Sequence, residues 1–473
     1  MPADDNRILG KTRSLCPVCL ETIGASYRGR EDTVWLEKNC PEHGEFAVPF
    51  WEGVSGFLKW RASQNPAQPP KNPQSPSVRG CPYDCGLCGN HIQATCCVLL
   101  ELTGRCDLGC PVCFASAGTA GPDPSLETVA FWYDRLIEQG GPFNIQLSGG
   151  EPSLRDDLPR IIRMGKERGF VFFQLNTNGL RIARDREYLR ELADAGLNTV
   201  FLQFDSLAGD RCAALRGRDL VAEKIRAIGN CAEAGLGVVL TPTIRRGVND
   251  NDLWAILEFA ANNMPAVRGV HFQPMSFFGR YQGDPVKDRF TIPALLKGIE
   301  EQSGGRLRAR DFLPGGAEHP LCSFHASYTV GGGAWSLLQS AGNSGCCGSA
   351  APASAGGSCC CGDPASALSA TSDAARNTVS RLWSAVPSAP GPVSGKNMKL
   401  DSLDAFITEA EKRERETLAV SGMAFQDAWT VDLDRLARCY IHVVGPGGEL
   451  IPFCSYNLTS RGGRPLHRAK LDP

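Results

Sequence analysis

The sequence predicts a mixed α/β protein: a partial (β/α)6 barrel of the TIM type, with Cys-rich, metal-binding extensions on its N-terminal and C-terminal sides. Three observations carry this. Strand-like and helix-like segments alternate from about residue 98 to 280, the pattern of a parallel sheet joined by right-handed crossovers. The chain has 21 cysteines, many in Cys-x2-Cys and Cys-x3-Cys-x2-Cys groups with metal-ligand spacing. A Gly/Ala/Ser/Pro-rich stretch at 331–395 sets a last compact segment apart from the rest.

Taken in order, residues 1–60 form a small unit with CPVC at 16–19, CPEHG at 40–44 and the strand-like TVWLEKN between them. A Pro/Gln/Ser-rich linker fills 61–80, and CPYDCGLC opens a segment at 81–97. Barrel strands are expected at 98–103, 143–148, 170–176, 198–204, 236–242 and 268–274. Segments such as LETVAFWYDRLIEQ and DREYLRELADAG lie between them, with helical apolar spacing and Gly stops. Six strands leave the barrel open, within a unit at 98–290 extended by 291–330. The 331–395 insert has too few apolar residues for a packed core and is expected to stay mobile. Residues 396–473 form the compact C-terminal unit, where CYIHVV and LIPFC flank a GPGG turn.

The totals exclude several classes. A net charge of −2 and no basic stripe give no hold on nucleic acid or anionic lipid. No apolar run reaches the ~18–20 residues of a membrane span, and no signal-peptide core precedes the first cysteines. A cytoplasmic protein with thiolate-bound metal centres is the expectation.

Two triplets share one spacing, Cys81, Cys85, Cys88 and Cys106, Cys110, Cys113. The second follows the first barrel strand, at the face where barrel sites assemble. A [4Fe–4S] cluster ordinarily takes four cysteines, so three leave one iron open. Spacing alone also fits zinc, or a cluster completed from elsewhere. The second strand then runs into NIQLSGGEP, 144–152. It puts Ser148, two glycines that admit close backbone approach, Gly149 and Gly150, and Glu151, able to pair with an ammonium, at the same face.

CxxxCxxC after one strand and GGEP after the next resemble the radical S-adenosylmethionine (SAM) superfamily over about 97–280. The resemblance implies a [4Fe–4S] cluster whose open iron is chelated by SAM, with Glu151 at the methionine ammonium and Phe114 near the adenine. It implies reductive cleavage to a 5′-deoxyadenosyl radical that abstracts a substrate hydrogen. A flavodoxin- or ferredoxin-type reductant is the implied partner. Glu151 and Asp205 are the expected catalytic residues. Asn176, Asn178, Asp205, Ser206 and Thr243, at strand ends of that face, are expected to touch SAM or substrate.

The first triplet follows a linker, and Cys96 lies close enough to close a cluster with Cys81, Cys85 and Cys88. Such a filled centre would be auxiliary. His91 is the alternative fourth ligand, and Cys97 is expected in the core. CPVC…CPEHG, VLTPTIRRGVND with HFQPMSFFGR, and DLDRLARC…IPFCSYN resemble the branch holding archaeal tetraether lipid synthases and pterin dimethyltransferases. That resemblance implies a mononuclear iron or zinc on Cys16, Cys19 and Cys40, with His43 the nearby fourth candidate. It implies a further auxiliary [4Fe–4S] centre on Cys322, Cys439 and Cys454, and C–C coupling or carbon methylation on a small-molecule, lipid-like or pterin-like substrate.

Cys346, Cys347, Cys359, Cys360 and Cys361 depart from the lipid-joining pattern. They could supply a ligand, handle sulfur or metal, act as a redox arm, or simply tether. Resemblance to bacterial members with selenocysteine there would favour redox. Cys212 and Cys231 sit among apolar neighbours and read as core. The competing function is an iron–sulfur electron carrier or metal- or sulfur-delivery protein, for which the GGEP segment has no use.

Overall fold

The computed structural model describes residues 6–63, 67–73, 75–118, 121–338, 372–386 and 415–468. The N-terminal unit is an antiparallel meander of β1 (Arg7–Leu15), β2 (Thr22–Arg30), β3 (Thr33–Cys40) and β4 (Gly44–Glu52), followed by α1 (Val54–Ala62). Strand β2 shows why it pairs: Ile23, Ala25 and Tyr27 alternate inward, the period-2 pattern of a half-buried strand. Tyr27 Oη donates to Asp432, which ties this sheet to the C-terminal segment.

The barrel strands are β5 (Cys97–Glu101), β6 (Asn144–Ser148), β7 (Phe173–Thr177), β8 (Thr199–Gln203), β9 (Gly237–Thr241), β10 (Thr243–Ile244) and β11 (Val267–Pro274). From β5 to β9 each lies parallel beside the next, and β11 lies parallel beside β9, with short β10 pairing β11. Among the described residues the outside is covered by α2 (Leu126–Glu138), α3 (Leu158–Glu167), α4 (Leu180–Arg184), α5 (Arg186–Ala195), α6 (Gly209–Arg216), α7 (Val221–Glu233) and α8 (Leu253–Asn262). Their caps are readable: Ser125 accepts from Thr128 N at the start of α2, and Asp185 from Tyr188 N at the start of α5. Helix α9 (Ile292–Gln302) follows the barrel. Ile145, Leu147, Leu175, Val200, Leu202, Val238, Leu240 and Val270 are fully buried in one core with these helices. Each such side chain contributes about 1.5–3 kcal/mol. Cys212 and Cys231 are buried as expected.

The C-terminal residues differ from expectation. They do not form a separate sheet but extend the barrel sheet at both edges. On one edge β15 (Thr417–Met423) runs parallel to β11, and β13 (Ser323–Gly331) pairs antiparallel with β15. Short strands β12 (Leu313–Pro314) and β14 (Ala334–Leu337) pair with β13. On the other edge β16 (Ile441–Val444) runs parallel to β5, with β17 (Leu450–Pro452) antiparallel beyond it. Strands this short carry no signal for which distant partner they join. The insert also departs from a purely mobile tether. Its residues Ser372–Trp383 form helix α10 against the barrel. Cys346, Cys347, Cys359, Cys360 and Cys361 lie outside the described residues.

Candidate active site

A cavity of about 260 Å3 runs through the barrel, lined by Cys106, Cys110 and Cys113 at one end and by Cys96 and Cys97 at the other. Cys97 begins β5 and Cys106 lies beyond its last residue, so the ends are more than ~13 Å apart at about 3.3 Å per residue.

The 106–113 loop is fastened by two arginines. Arg280 Nε donates to Cys110 O (2.7 Å), and the Arg280 and Cys113 backbones exchange hydrogen bonds (2.9 and 2.8 Å). Arg216 Nη1 donates to Val112 O (3.1 Å). Burial pushes the Cys106 thiol up to about 12 and raises that of Cys110, so neither is held as a free thiolate. This suits ligands that ionise on taking a metal.

Glu151 is 1% exposed yet lines the cavity. Its Oε1 accepts from Ser153 N (3.0 Å), Ser153 Oγ (2.6 Å) and Thr177 Oγ1 (2.7 Å), and its Oε2 from Asn178 N (2.6 Å). Burial raises its pKa. The carboxylate is thus pinned between the GGEP turn and the end of β7. Ser148, Gly149 and Gly150 share this wall. A Cβ on Gly149 would collide with Thr103 O, and one on Gly150 with Arg105 O, so glycine lets the two strand ends close up. Asn178 Nδ2 donates to Asp107 Oδ1 (2.7 Å), and Asn178, Asn176, Thr243 and Phe114 line the same cavity.

Two expected contacts read differently. Asp205 is not free for reacting atoms: Arg216 Nε and Nη2 take both its oxygens at 2.7 Å, and Thr243 N donates to Oδ1 (3.0 Å). Arg216, which the sequence did not single out, is the member of this pair that lines the cavity. Burial opposes its charge, but Asp205 outweighs burial and its pKa rises. Ser206 does not line the cavity; its Oγ donates to Asp252 Oδ2 (2.5 Å) and accepts from Ala208 N (2.9 Å). A serine before a helix is drawn to such capping bonds.

Elsewhere Cys16, Cys19, Cys40 and His43 bring their ligand atoms within 4.8 Å of one another. The distances Cys19 Sγ to Cys40 Sγ (4.0 Å) and Cys40 Sγ to His43 Nδ1 (3.5 Å) match the ~3.8 Å edge of a tetrahedron with ~2.3 Å metal–sulfur bonds. Cys81, Cys85 and Cys88 lie together, but Cys96 does not join them. It sits beside Cys97 on the cavity wall, where both backbone N–H groups reach Tyr440 O (2.8 and 3.4 Å). Cys97 is therefore at the cavity rather than in the core, and its Sγ accepts from Gln146 Nε2 (3.3 Å). Cys96 precedes the strand, so alternation does not send the two sulfurs to opposite faces. His91 bonds Cys439 O (2.7 Å) and packs on His442.

Beside the first triplet stands His467 instead, also unforeseen. Its Nε2 bonds Pro82 O (2.7 Å), which also accepts from Cys85 Sγ (3.0 Å). Cys81, then His467, hold the Cys85 thiol below its usual range against burial. Cys322, Cys439 and Cys454, over 130 residues apart at the extremes, converge on a cavity of about 20 Å3 with Glu318 and Arg435. Met423, Phe425, Tyr440, Ile441 and Phe453 line both cavities.

Residues 100–260 match the model of the radical SAM superfamily, and 8–52 match the HMPTM N-terminal zinc ribbon domain. The chain is 33% identical to 7,8-dihydro-6-hydroxymethylpterin dimethyltransferase of Methanocaldococcus jannaschii, over 98% of this chain and 94% of that one. The chain is a radical SAM enzyme of that family. A GTP 3′,8-cyclase of Nautilia profundicola is 30% identical over 37% of this enzyme and 55% of its own length. Among solved structures, Streptococcus suis SuiB bound to precursor peptide SuiA aligns with a TM-score of 0.39, at 15% identity and over 46% of each chain. Membership of the family implies a SAM-binding [4Fe–4S] cluster, and Glu151 lines the same cavity as Cys106, Cys110 and Cys113; no helix among the described residues is long and apolar enough to cross a membrane.

Proposed function

We propose that this enzyme methylates carbon on a dihydropterin-like small molecule. The observation that carries the reading is one cavity, lined by Cys106, Cys110, Cys113 and Glu151, in a chain alike over nearly its whole length to a pterin dimethyltransferase. Cys106, Cys110 and Cys113 would hold the cluster, which would supply one-electron cleavage of SAM to methionine and a 5′-deoxyadenosyl radical. Because that cleavage leaves the methyl on methionine, a second SAM, released as S-adenosylhomocysteine, would give its methyl to the substrate carbon with a second electron from the reductant. Glu151 receives the methionine ammonium on a carboxylate already fixed by four hydrogen bonds. Arg216, steadied by Asp205, holds the cluster loop and adds positive charge to the cavity wall, suited to the methionine carboxylate. The barrel walls keep water from the radical.

Auxiliary centres complete the reading. Cys16, Cys19, Cys40 and His43 hold one mononuclear metal, zinc or iron. Cys81, Cys85 and Cys88 hold an auxiliary [4Fe–4S] cluster with His467 as the neighbouring nitrogen. Cys322, Cys439 and Cys454 hold another, separated from the active cavity by one layer of side chains. A flavodoxin- or ferredoxin-type donor supplies electrons, and the setting is cytoplasmic.

The test is anaerobic reconstitution with iron and sulfide, then dithionite, SAM and 7,8-dihydro-6-hydroxymethylpterin. 5′-Deoxyadenosine, S-adenosylhomocysteine and a pterin heavier by one or two methyl groups are expected by mass spectrometry. 5′-Deoxyadenosine with an unchanged pterin would remove the substrate assignment, and absence of both would favour an electron carrier.

A further inference from the structure

Away from the cluster loop the cavity wall changes character. Consecutive barrel strands turn Gln146 (β6), Asn176 (β7), Gln203 (β8), Thr241 (β9) and Gln273 (β11) toward it. Their flanking residues Leu147, Leu175, Leu202, Leu240 and Phe272 are buried in the apolar core. Barrel interiors are ordinarily packed with Val, Ile and Leu. Here they are packed with amides, and the amides are linked. Gln174 Nε2 donates to Asn176 Oδ1 (2.6 Å), Asn176 Nδ2 to Gln146 Oε1 (3.2 Å), and Gln146 Nε2 to Cys97 Sγ (3.3 Å). Among the described residues two buried oxygens have no hydrogen-bond partner, Thr241 Oγ1 at this wall and Gln174 Oε1 behind Asn176.

The far end of the same chamber is aromatic. Phe201 and Trp383 lie 5.3 Å apart at 37°, and His271 lies within 6.0 Å of both rings. Trp383 ends α10 and, with Val379, lines the cavity. The helix is fastened to the barrel there. Asn144 Nδ2 donates to Arg376 O (3.0 Å), and Arg376 Nη1 to Pro142 O (2.6 Å). Gly237 opens β9 without a side chain, where a Cβ would collide with Trp383 O.

We infer that this lower chamber binds a flat, fused-ring lactam heterocycle of pterin type, its polar edge read by Gln146, Asn176 and Thr241 and its ring face stacked on Trp383. The inference rests on the dihydropterin reading above and deepens it, by naming the groups that select the substrate. A saturated acyl chain would leave this run of amides facing hydrocarbon. An edge carrying both N–H donors and C=O acceptors satisfies them. Helix α10 makes the insert part of the site, supplying the surface on which the ring rests.

The test uses the reconstituted holoenzyme with SAM, titrated with 7,8-dihydro-6-hydroxymethylpterin and, separately, with decanoate as an acyl probe. Wild type should bind the pterin and not decanoate. Asn176→Leu and Gln146→Leu should raise the pterin Kd about 10- to 100-fold relative to the Kd for SAM. Trp383→Ala should raise it about tenfold, and Trp383→Phe should restore most of that. Hydrogen exchange on the unmodified enzyme reads the same contact without a variant: bound pterin should slow exchange across 372–383. If wild type and variants bind the pterin alike, or exchange there is unchanged with pterin bound, this assignment falls while the dihydropterin reading stands. If wild type takes decanoate instead of the pterin, or neither, both fall.

Discussion

Arg216 grips both oxygens of Asp205 at 2.7 Å while its remaining nitrogen donates to Val112 O, between Cys110 and Cys113. Both side chains are nearly free of solvent, at 5% and 0% exposure. Removing one partner strands a buried charge, at a cost of about 3–5 kcal/mol. Arg216→Ala should therefore lower the unfolding temperature and abolish 5′-deoxyadenosine formation. The pair replaced together, Asp205→Leu with Arg216→Met, should regain most of the stability but none of the SAM cleavage. If the double variant cleaves SAM, Arg216 is only structural.

Gly150→Ala tests the close approach of two strand ends. The new methyl would meet Arg105 O, which accepts from Glu151 N at 2.8 Å. Relief requires the GGEP turn to swing out and carry Glu151 with it. SAM affinity should fall about tenfold or more, with global stability changed by about 1–3 kcal/mol. Equilibrium binding of SAM to the reconstituted variant measures it.

At Glu151 itself, Glu151→Gln keeps an acceptor for Ser153 and Thr177 but loses the charge offered to an ammonium. SAM affinity should drop about 10- to 100-fold, the range of a lost charge-assisted bond. A variant with native SAM affinity would show that the ammonium sits elsewhere.

For the N-terminal group, a chelator or Cys19→Ala should release one metal equivalent and loosen β1–β4. That sheet packs on the C-terminal segment through Tyr27 and Asp432, so proteolysis should begin there first. Native protease resistance after complete metal loss would count against a structural ion.

His271 supplies a pH signature. Burial holds its pKa at about 4, against 6.5 for an unburied histidine. Between these values the unfolded chain carries the proton and the folded one does not, so stability rises as pH rises from 4 to 6.5. His271→Gln should flatten that rise by up to about 3 kcal/mol. Urea melts of the two proteins across this window give the difference directly.

The barrel was legible because strand-like and helix-like spacings alternate, with caps at Ser125 and Asp185 and a glycine stop at Gly196, and because the Cys106 triplet and Glu151 stand at consecutive strand ends. What escaped the sequence is what depends on pairing across long separations. Asp205 looks like a free carboxylate until α6 returns Arg216 beneath it. Cys96 has the right spacing to join Cys88, yet the backbone of Tyr440 draws it to the cavity. Helix α10 was hidden inside a Gly/Ala/Ser-rich average, although Val379, Leu382 and Trp383 carry helical apolar spacing. Convergence of Cys322, Cys439 and Cys454 was anticipated only through resemblance, since no local pattern joins them.

Because β15 and β16 flank the barrel from opposite sides, the chamber lacks both shoulders without residues 417–444. A chain ending before β15 would therefore lack Met423, Phe425, Tyr440, Ile441 and Phe453 from the wall of the cavity.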